Sequence, residues 1–287
     1  MGKRVVGIIG GSGFYQMDGL DRPEPIELDT PFGKPSDTYY HSRMGDTELI
    51  FLARHGRGHR LMPSEINYCA NIFGMKQLGV EYLVSVSSAG SMRESIAPGD
   101  FVVPAQFYDH TFKRPASFFG RGIVVHVSLA DPVCPDLCRD LAAAGRKAGA
   151  RTHDRGTYFC IEGPQFSTRA ESDIYRSWNV DVISMTAMQE ARLAREAEFC
   201  YAALALVTDY DCWHQSAQQV VIADVLRVLK DNVALAQKTM IELAAALAQR
   251  DRTCQCGSSL RDAIITDRAL IPSKLASELS PLVGKYL

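Results

Sequence analysis

The sequence predicts an α/β fold: a single domain whose central sheet is mixed but mostly parallel and is flanked by helices. Short apolar runs repeatedly end in turns of Gly, Ser or Thr and are followed by helix-like segments. The chain has 287 residues, 46% of them hydrophobic, which is enough for one large core or two modest ones. No internal repeat, low-complexity segment or linker divides the sequence. We therefore predict one domain over residues 1–287, with a helical tail at about 252–287.

The predicted strands are short apolar runs bounded by turn residues. In chain order they cover residues 3–9, 38–43, 47–53, 82–86, 99–104, 123–127, 156–161, 180–184 and 202–207. Residues 87–91, rich in hydroxyl groups, are predicted to form a turn after one of these strands. Residues 107–122 contain aromatic side chains, Arg114 and glycines, which is typical of a long functional loop.

The predicted helices follow start signals such as Pro63 and Glu65, a proline and an acid in a first turn. Either Ser167 or Thr168 is expected to cap the third helix. The helices cover residues 63–78, 135–149, 168–178, 189–197 and 221–249, with a short one near 259–265.

Charge and hydropathy narrow the possible partners. The net charge is -2 and the sequence pI is about 6.4, so no basic excess is available to hold a nucleic acid. No apolar run approaches the roughly 18 residues of a membrane span. The first residues lead directly into a strand and lack the pattern of a signal peptide. We expect a cytoplasmic protein that binds neither nucleic acid nor membrane.

The eight cysteines show no CxxC pair and no histidine pair at zinc-ligand spacing, so the sequence predicts no metal site. Most of them lie in apolar segments, where a reduced cysteine acts as a small hydrophobic residue. Cys254 and Cys256 differ, because they lie in a polar, Gly-containing segment. This segment is either an exposed surface loop or a redox-active or disulfide-forming pair.

Two carboxylates follow the strand at 202–207, in the sequence Thr208-Asp209-Tyr210-Asp211. Open α/β sheets bind ligands at this end of their strands, and residues i and i+2 of an extended chain point to the same side. One carboxyl group could hold or donate a proton while the other accepts a hydrogen bond from a ligand amine. The alternative is an Asx-type turn in which the side chains cap the backbone.

Other strand ends carry groups suited to anions. Glycines at 10–13 let backbone N–H groups converge, and Ser12 adds a hydroxyl, although a tight turn explains the same pattern. Gln16 stands where the dinucleotide fingerprint needs its last glycine. Residues 54–60 contain three arginines and two histidines that could grip a dianion, or form a solvated loop. Together these ends suit a substrate with a phosphate and a nitrogenous base.

Five segments carry a family resemblance: 10–13, 51–57, 162–167, 185–186 and 208–213. They resemble the methylthioadenosine phosphorylases, part of the trimeric purine nucleoside phosphorylase family, in the same order along the chain. The resemblance implies one nucleoside phosphorylase domain that converts 5′-methylthioadenosine and phosphate into adenine and 5-methylthioribose 1-phosphate. Inorganic phosphate is then a co-substrate, and no metal or organic cofactor is expected.

Three alternatives remain open. The first is a broader purine nucleoside phosphorylase that also accepts adenosine or other purine nucleosides. The second is a hydrolase that uses water, and the third is a non-catalytic nucleotide-binding module on the same scaffold. Omitting phosphate from an assay separates phosphorolysis from hydrolysis.

The resemblance also implies roles for individual residues. The phosphate-binding residues would be Ser12, Arg54, His55, Ser87, Ser88 and Thr186. The nucleoside-binding residues would be Phe166, Ser167, Met185, Thr208, Asp209 and Asp211, the last two also catalytic. Ile222 and Val225 would line the methylthio pocket, and His126 and Leu270 would enter it from a neighbouring subunit of a homotrimer.

Asp209 is the residue expected to select an aminopurine, since 6-oxopurine enzymes of the family tend to have Asn there and Glu in place of Ser167. Its pKa should be raised by burial and by Asp211 nearby. The chain departs from the family pattern at Gln165, where Arg is common, and at Ser184, where Asn is frequent. The Cys254/Cys256 pair resembles a CxC motif linked to stability in some microbial members.

Overall fold

The computed structural model describes residues 4–11, 14, 17–214 and 222–287, apart from the side chains of residues 222–227 and 229. The eleven strands of this part of the chain form one sheet. Their bounds are β1 Arg4–Gly10, β2 Glu24–Ile26, β3 Tyr39–Met44, β4 Thr47–Ala53, β5 Tyr82–Ser91, β6 Phe101–Val102, β7 Gln106–His110, β8 Thr152–His153, β9 Thr157–Ile161, β10 Val182–Ser184 and β11 Cys200–Asp209.

Seven α-helices lie in the described residues, mostly near their predicted positions. They are α1 Tyr68–Gln77, α2 Pro135–Lys147, α3 Arg169–Ser177, α4 Ala187–Glu196, α5 Ile222–Ala248, α6 Ser273–Glu278 and α7 Ser280–Val283. Among the described residues, no helix has both the length and the apolar character needed to cross a bilayer.

Strand β5 is the centre of the sheet. It pairs in parallel with β1 and β11 and antiparallel with β10. Of the ten strand pairings in the described residues, six are parallel and four are antiparallel. The prediction of a mixed, mostly parallel sheet flanked by helices is therefore confirmed.

The core lies around the three central strands, β1, β5 and β11. Residues 200–208 of β11 are all buried, as expected for an apolar strand with both faces covered. Helix α5 packs against β11 and α2, and α4 packs against β5, β11 and α1. Because β1, β5 and β11 are parallel, their carboxyl ends meet at one edge of the sheet, and the polar residues predicted at strand ends converge there.

Strand β5 runs further than predicted and includes residues 87–91, which were expected to form a turn. These residues keep their backbone partners, because β11 pairs with β5 as far as Gly90 and β10 pairs with Gly90 and Ser91. Ser87 and Ser88 are therefore held by a strand rather than a loop.

Two predictions near the middle of the chain, a loop at 107–122 and a strand at 123–127, differ from the structure. Residues 107–122 are not entirely loop, because β7 extends β9 in parallel through its backbone. The segment 123–127 forms only isolated bridges, since it is paired by single backbone bonds with residues 263–265 of the tail. His126 in this segment is exposed instead of packed in the core.

Helix boundaries differ where a specific cap decides them. Helix α1 starts at Tyr68 rather than residue 63, because the Asn67 side chain accepts the Ala70 N–H and caps it. Thr168, not Ser167, caps α3 in a capping box with Glu171. The helix predicted near 259–265 is absent from the described tail, where turns follow a short 3₁₀ helix at Gln255–Ser258.

Candidate active site

A cavity of about 440 Å³ opens where the carboxyl ends of the central strands meet. It collects residues from widely separated parts of the chain. The predicted site residues that line it are Arg54, His55, Ser87, Ser88, Phe166, Ser167, Met185, Thr186, Thr208, Asp209 and Asp211. The prediction that these residues share one site agrees with this geometry.

The other predicted site residues are not among the lining residues. Ser12 lies outside the described residues. Ile222 and Val225 belong to the first turn of α5, but their side chains are also outside the described part. His126 and Leu270 are exposed, Leu270 at 74%, and do not line the cavity of their own chain.

Asp209, the last residue of β11, closes one end of the cavity. Its Oδ2 accepts the Thr208 hydroxyl at 2.7 Å, and its Oδ1 accepts the backbone N–H of Asp211 at 2.8 Å. The second bond is the Asx turn considered from the sequence, so a turn and a cavity-lining acid coexist here. Burial raises the pKa of Asp209 although both hydrogen bonds oppose the shift.

Asp211 is more deeply buried, with 4% of its surface exposed. Its φ of 49° lies in the left-handed region, which Asp tolerates better than most residues. Its Oδ2 accepts the Ser172 hydroxyl at 2.6 Å, from helix α3. Burial raises the pKa of Asp211, and the nearby Asp209 adds to the shift. Two neighbouring carboxyl groups with raised pKa values hold a proton at higher pH than ordinary aspartates do.

Gly90 leaves the room that the two acids need. A Cβ at this position would lie 3.0 Å from Asp209 Oδ1 and 3.5 Å from the Asp211 Cβ. A side chain here would require Asp209 Oδ1 to shift by a few tenths of an ångström.

Arg54 also lines the cavity and is 3% exposed. Its Nε and Nη2 donate to the two carboxylate oxygens of Glu190 at 2.5 and 3.1 Å. Burial opposes its charge, but the attraction of Glu190 outweighs burial and raises the Arg54 pKa. Arg54 therefore uses its Nε–Nη2 edge for Glu190. Its Nη1 donates to the Val86 carbonyl at 2.9 Å.

His55 follows Arg54 and is oriented by the backbone. Its Nδ1 lies 2.8 Å from the Leu61 carbonyl oxygen, which assigns the proton to Nδ1. Burial and the Arg54 charge lower the pKa of His55 to about 4, so the ring is neutral near pH 7. His59 stacks on it with ring centroids 4.2 Å apart and also lines the cavity.

The rest of this arginine-rich segment is a surface loop. Arg57 pairs with Asp37 at 3.3 Å, and Arg60 donates to the Ser36 carbonyl at 3.4 Å. These two arginines therefore belong to a surface loop. Arg54 and its neighbouring histidines remain as the candidates for anion binding.

Thr186 combines two features of an anion site. It is the N-cap of the ten-residue helix α4, and its side chain makes no capping hydrogen bond. Its buried Oγ1 has no hydrogen-bond partner among the described residues. A helix N-terminus favours negative charge, and a buried hydroxyl without a partner calls for a ligand. The Ser167 Oγ, near the acids, is buried and unpaired in the same sense.

Arg114 was expected only as part of a functional loop, but it organises one wall of the cavity. It donates to the Met185 and Glu162 carbonyl oxygens and to Gln189 Oε1 at 3.0 Å. Glu162 Oε2 accepts the Phe112 N–H at 2.7 Å. These bonds fix the segments that present Met185 and Phe166 to the cavity.

Residues that the sequence did not single out complete the site. Glu190 and Ser172 act through Arg54 and Asp211, and their polar types gave no signal by themselves. Val233, in α5, lines the cavity directly. The apolar periodicity of α5 could have identified that face but not the cavity it meets.

Comparisons with known proteins agree along the whole chain. Residues 5–248 match the family described as the phosphorylase superfamily. The S-methyl-5′-thioadenosine phosphorylase of Geobacter sulfurreducens is 52% identical over 286 residues, covering 99% of this chain and 100% of the relative. That of Koribacter versatilis is 50% identical over 281 residues, covering 98% and 96%.

Solved structures show the same similarity. A methylthioadenosine phosphorylase from an antarctic soil metagenomic library superposes with a TM-score of 0.93 at 43% identity, covering 98% of this chain and 99% of the other. A mutant adenosine/methylthioadenosine phosphorylase from Schistosoma mansoni, in complex with methylthioadenosine, gives 0.82 at 35% identity, covering 90% and 96%.

Proposed function

The chain belongs to the phosphorylase superfamily, and we propose that it is a pentosyltransferase that cleaves 5′-methylthioadenosine with inorganic phosphate. The products are adenine and 5-methylthioribose 1-phosphate, which return a purine and a methionine precursor to salvage. The observation that carries the proposal is the cavity itself, with anion donors at one part and two acids of raised pKa at another.

Phosphate binds beside the N-terminus of α4. The Thr186 hydroxyl, which lacks a partner among the described residues, donates to it, and the helix dipole favours its charge. Ser87 and Ser88 on β5 add hydroxyl groups, and Arg54, which also lines the cavity, supplies positive charge. Ser12, outside the described residues, belongs to the same proposed set.

His55 contributes as a neutral ring. Its Nδ1–H is used by the Leu61 carbonyl, so Nε2 is left to accept the proton of a monohydrogen phosphate. The charged oxygens of the phosphate then remain available to interact with the hydroxyl groups, the helix N-terminus and the sugar.

Adenine binds at the acids. The Asp209 carboxyl group hydrogen-bonds the imidazole nitrogen of the purine and supplies the proton that the ring takes up as it leaves. Asp211 accepts from the amino group, held in place by Ser172. The bond between C1′ and the purine nitrogen breaks, and a phosphate oxygen bonds to C1′ from the opposite face. The acids therefore lower the barrier most when charge develops on the purine.

The ribose and its 5′ substituent lie against the apolar wall. Met185 and Phe166 face the sugar and base, and Val233 extends this wall into α5. Ile222 and Val225 belong to the proposed methylthio pocket. An apolar pocket accepts a thioether but leaves a 5′ hydroxyl unpaired, so methylthioadenosine is preferred over adenosine.

A homotrimer completes the pocket in this proposal. His126 and Leu270 are exposed on their own chain, and Leu270 presents an apolar side chain to solvent. We assign both to the site of a neighbouring subunit. The chain acts as one phosphorylase domain over residues 1–287, including the tail from about 252.

The proposal also covers the cofactors of the reaction and the cellular compartment of the protein. The reaction needs no metal or organic cofactor, since the acids and phosphate supply all its proton and bonding steps. The protein works in the cytoplasm, a reducing compartment that keeps its eight cysteines as the free thiols of the structure.

The direct test is product analysis with and without phosphate. With phosphate, methylthioadenosine should give adenine and 5-methylthioribose 1-phosphate, and without phosphate adenine should not form. Inosine should be cleaved far more slowly than methylthioadenosine. Adenine release that does not depend on phosphate, or equal rates on inosine, would overturn the proposal.

A further inference from the structure

Four cysteines form a cluster outside the active-site cavity. The sulfur atoms of Cys134, Cys200, Cys254 and Cys256 all lie within 4.8 Å of one another. Three of the four side chains are buried, and none of them lines the cavity. The pair at 254 and 256 is therefore not an exposed surface loop, because Cys256 is only 4% exposed.

The four thiols come from three separate segments. Cys134 is the N-cap of α2 and makes no side-chain capping bond. Cys200 is the first residue of β11. Cys254 and Cys256 flank the start of a 3₁₀ helix in the tail. These segments are too far apart in the sequence to match a metal-binding motif, which is why the sequence predicted no metal site.

We propose that the four cysteines bind one structural Zn²⁺ ion. A tetrahedral zinc–thiolate site has Zn–S bonds of about 2.3 Å, which places its sulfur atoms about 3.8 Å apart. The observed separations bracket this value, with Cys200 and Cys254 at 3.2 Å and no pair of the four beyond 4.8 Å. Four thiolates fill a tetrahedral shell and leave no open position, so the role is structural rather than catalytic.

Two arginines supply charge to the cluster. Arg195 Nη1 lies 3.8 Å from Cys256 Sγ, and Arg252 lies near Cys200 and Cys254. The Nε atoms of both arginines are buried without a hydrogen-bond partner among the described residues. A zinc bound by four thiolates carries two negative charges, which two guanidinium groups can balance.

Binding of the ion by these thiols is a proton exchange. When Zn²⁺ binds, each of the four thiols releases its proton to water and forms one S–Zn bond. No electron is transferred, so the step needs no oxidant. Two disulfides among the same cysteines would need an oxidant for each bond, and this alternative is left to the experiment.

The ion would connect the tail to the central sheet. It joins Cys254 and Cys256 to the first residue of β11 and to the start of α2. The tail carries Leu270, which we assign to a neighbouring active site. Loss of the ion should therefore lower the melting temperature, because it removes a cross-link between the tail and the central sheet.

The experiment measures zinc in the full-length protein purified from zinc-supplemented medium under reducing conditions. We expect about one zinc per chain by mass spectrometry of the metal. Cys256→Ser and Cys254→Ser should lose most of it. Cys69→Ser changes a buried cysteine of α1 and is the matched control, which should keep the metal. Cobalt in place of zinc should give the absorption bands of tetrahedral thiolate ligation.

Two results would overturn the proposal. One is wild-type protein without zinc whose cysteines react with a thiol reagent before any chelator is added. The other is an intact mass, measured without reductant, that is lower than the mass of the fully reduced chain by the hydrogens that two disulfide bonds remove. If the serine variants do not fold, thiol modification of the wild-type protein still tests the proposal. A zinc ion bound by these cysteines must be released in proportion to the number of thiols modified.

Discussion

The carboxylate of Asp209 accepts the backbone N–H of Asp211 at 2.8 Å, so a single turn fixes the relative positions of both acids. The register shift of β11 between Val207 and Asp209 brings this turn over β5. Gly90 of β5 leaves space for it. The geometry behind the proposed proton-donor role of Asp209 is thus built by the backbone, not by a second acidic side chain alone.

The first prediction concerns the proton of Asp209. Asp209→Asn should lower kcat/KM for methylthioadenosine by about 10²- to 10⁴-fold, the usual worth of a general acid. The amide keeps the size of the side chain but cannot supply the proton. Asp173→Asn, an exposed acid on α3, is the control and should leave activity unchanged. Equal loss in both variants, or none in either, would contradict the role of Asp209.

The second prediction concerns Ser172, a positioning residue that acts through Asp211. Ser172→Ala removes the 2.6 Å hydrogen bond and leaves the buried Asp211 Oδ2 with only a long contact of 4.0 Å from Cys212 Sγ, a cost of about 1–3 kcal/mol. Because this bond opposes the rise of the Asp211 pKa, its loss should raise that pKa further and move the pH–rate profile towards higher pH.

Ser177→Ala is the control for this shift. Ser177 lies on the same helix and donates to the Ile174 carbonyl at the exposed face. It should leave both the rate and the pH profile unchanged. A slower Ser172→Ala enzyme with an unshifted profile would reduce Ser172 to a structural role.

The third prediction concerns the buried pair of Arg54 and Glu190. Glu190→Gln removes the charge that the guanidinium needs and should destabilise the fold by about 3–5 kcal/mol. The freed arginine should also bind phosphate differently, so KM for phosphate should change. Glu278→Gln, in an exposed pair with Arg121 at 3.5 Å, should cost about 1 kcal/mol or less. Denaturant unfolding that gives the same change for both variants would argue against a special role for Glu190.

The fourth prediction tests the shared pocket. Leu270→Asp should raise KM for methylthioadenosine by about tenfold or more, since a buried leucine contributes about 1.5–3 kcal/mol. The effect should appear only if subunits associate, so light scattering should give a trimer for the wild type. Ile174→Asp, another exposed apolar residue, should leave KM unchanged. A fully active monomer would exclude the proposed contribution of Leu270.

Local chemistry explains what the sequence predicted correctly. The fully buried run of β11, the Thr168 cap and the cavity-lining acids each follow from residues close together in the chain. Glu190 is 136 residues from Arg54, and Ser172 is 39 from Asp211. Such partners are set by the sheet topology. No local pattern reveals them, and the same reason hides the cysteine cluster.

The last prediction concerns pH and His55, whose pKa is lowered to about 4 from an unfolded value near 6.5. Between these values the unfolded chain binds a proton that the folded site refuses. Unfolding therefore takes up a proton, and stability falls as the pH drops from about 6.5 to about 4, by at most about 3 kcal/mol. Below pH 4 both states are protonated and the penalty stays constant. Denaturant unfolding in phosphate-free buffer should show a smaller loss across this window for His55→Gln than for wild type. Parallel curves for the two proteins would mean that His55 accepts the proton as readily in the folded protein as in the unfolded chain.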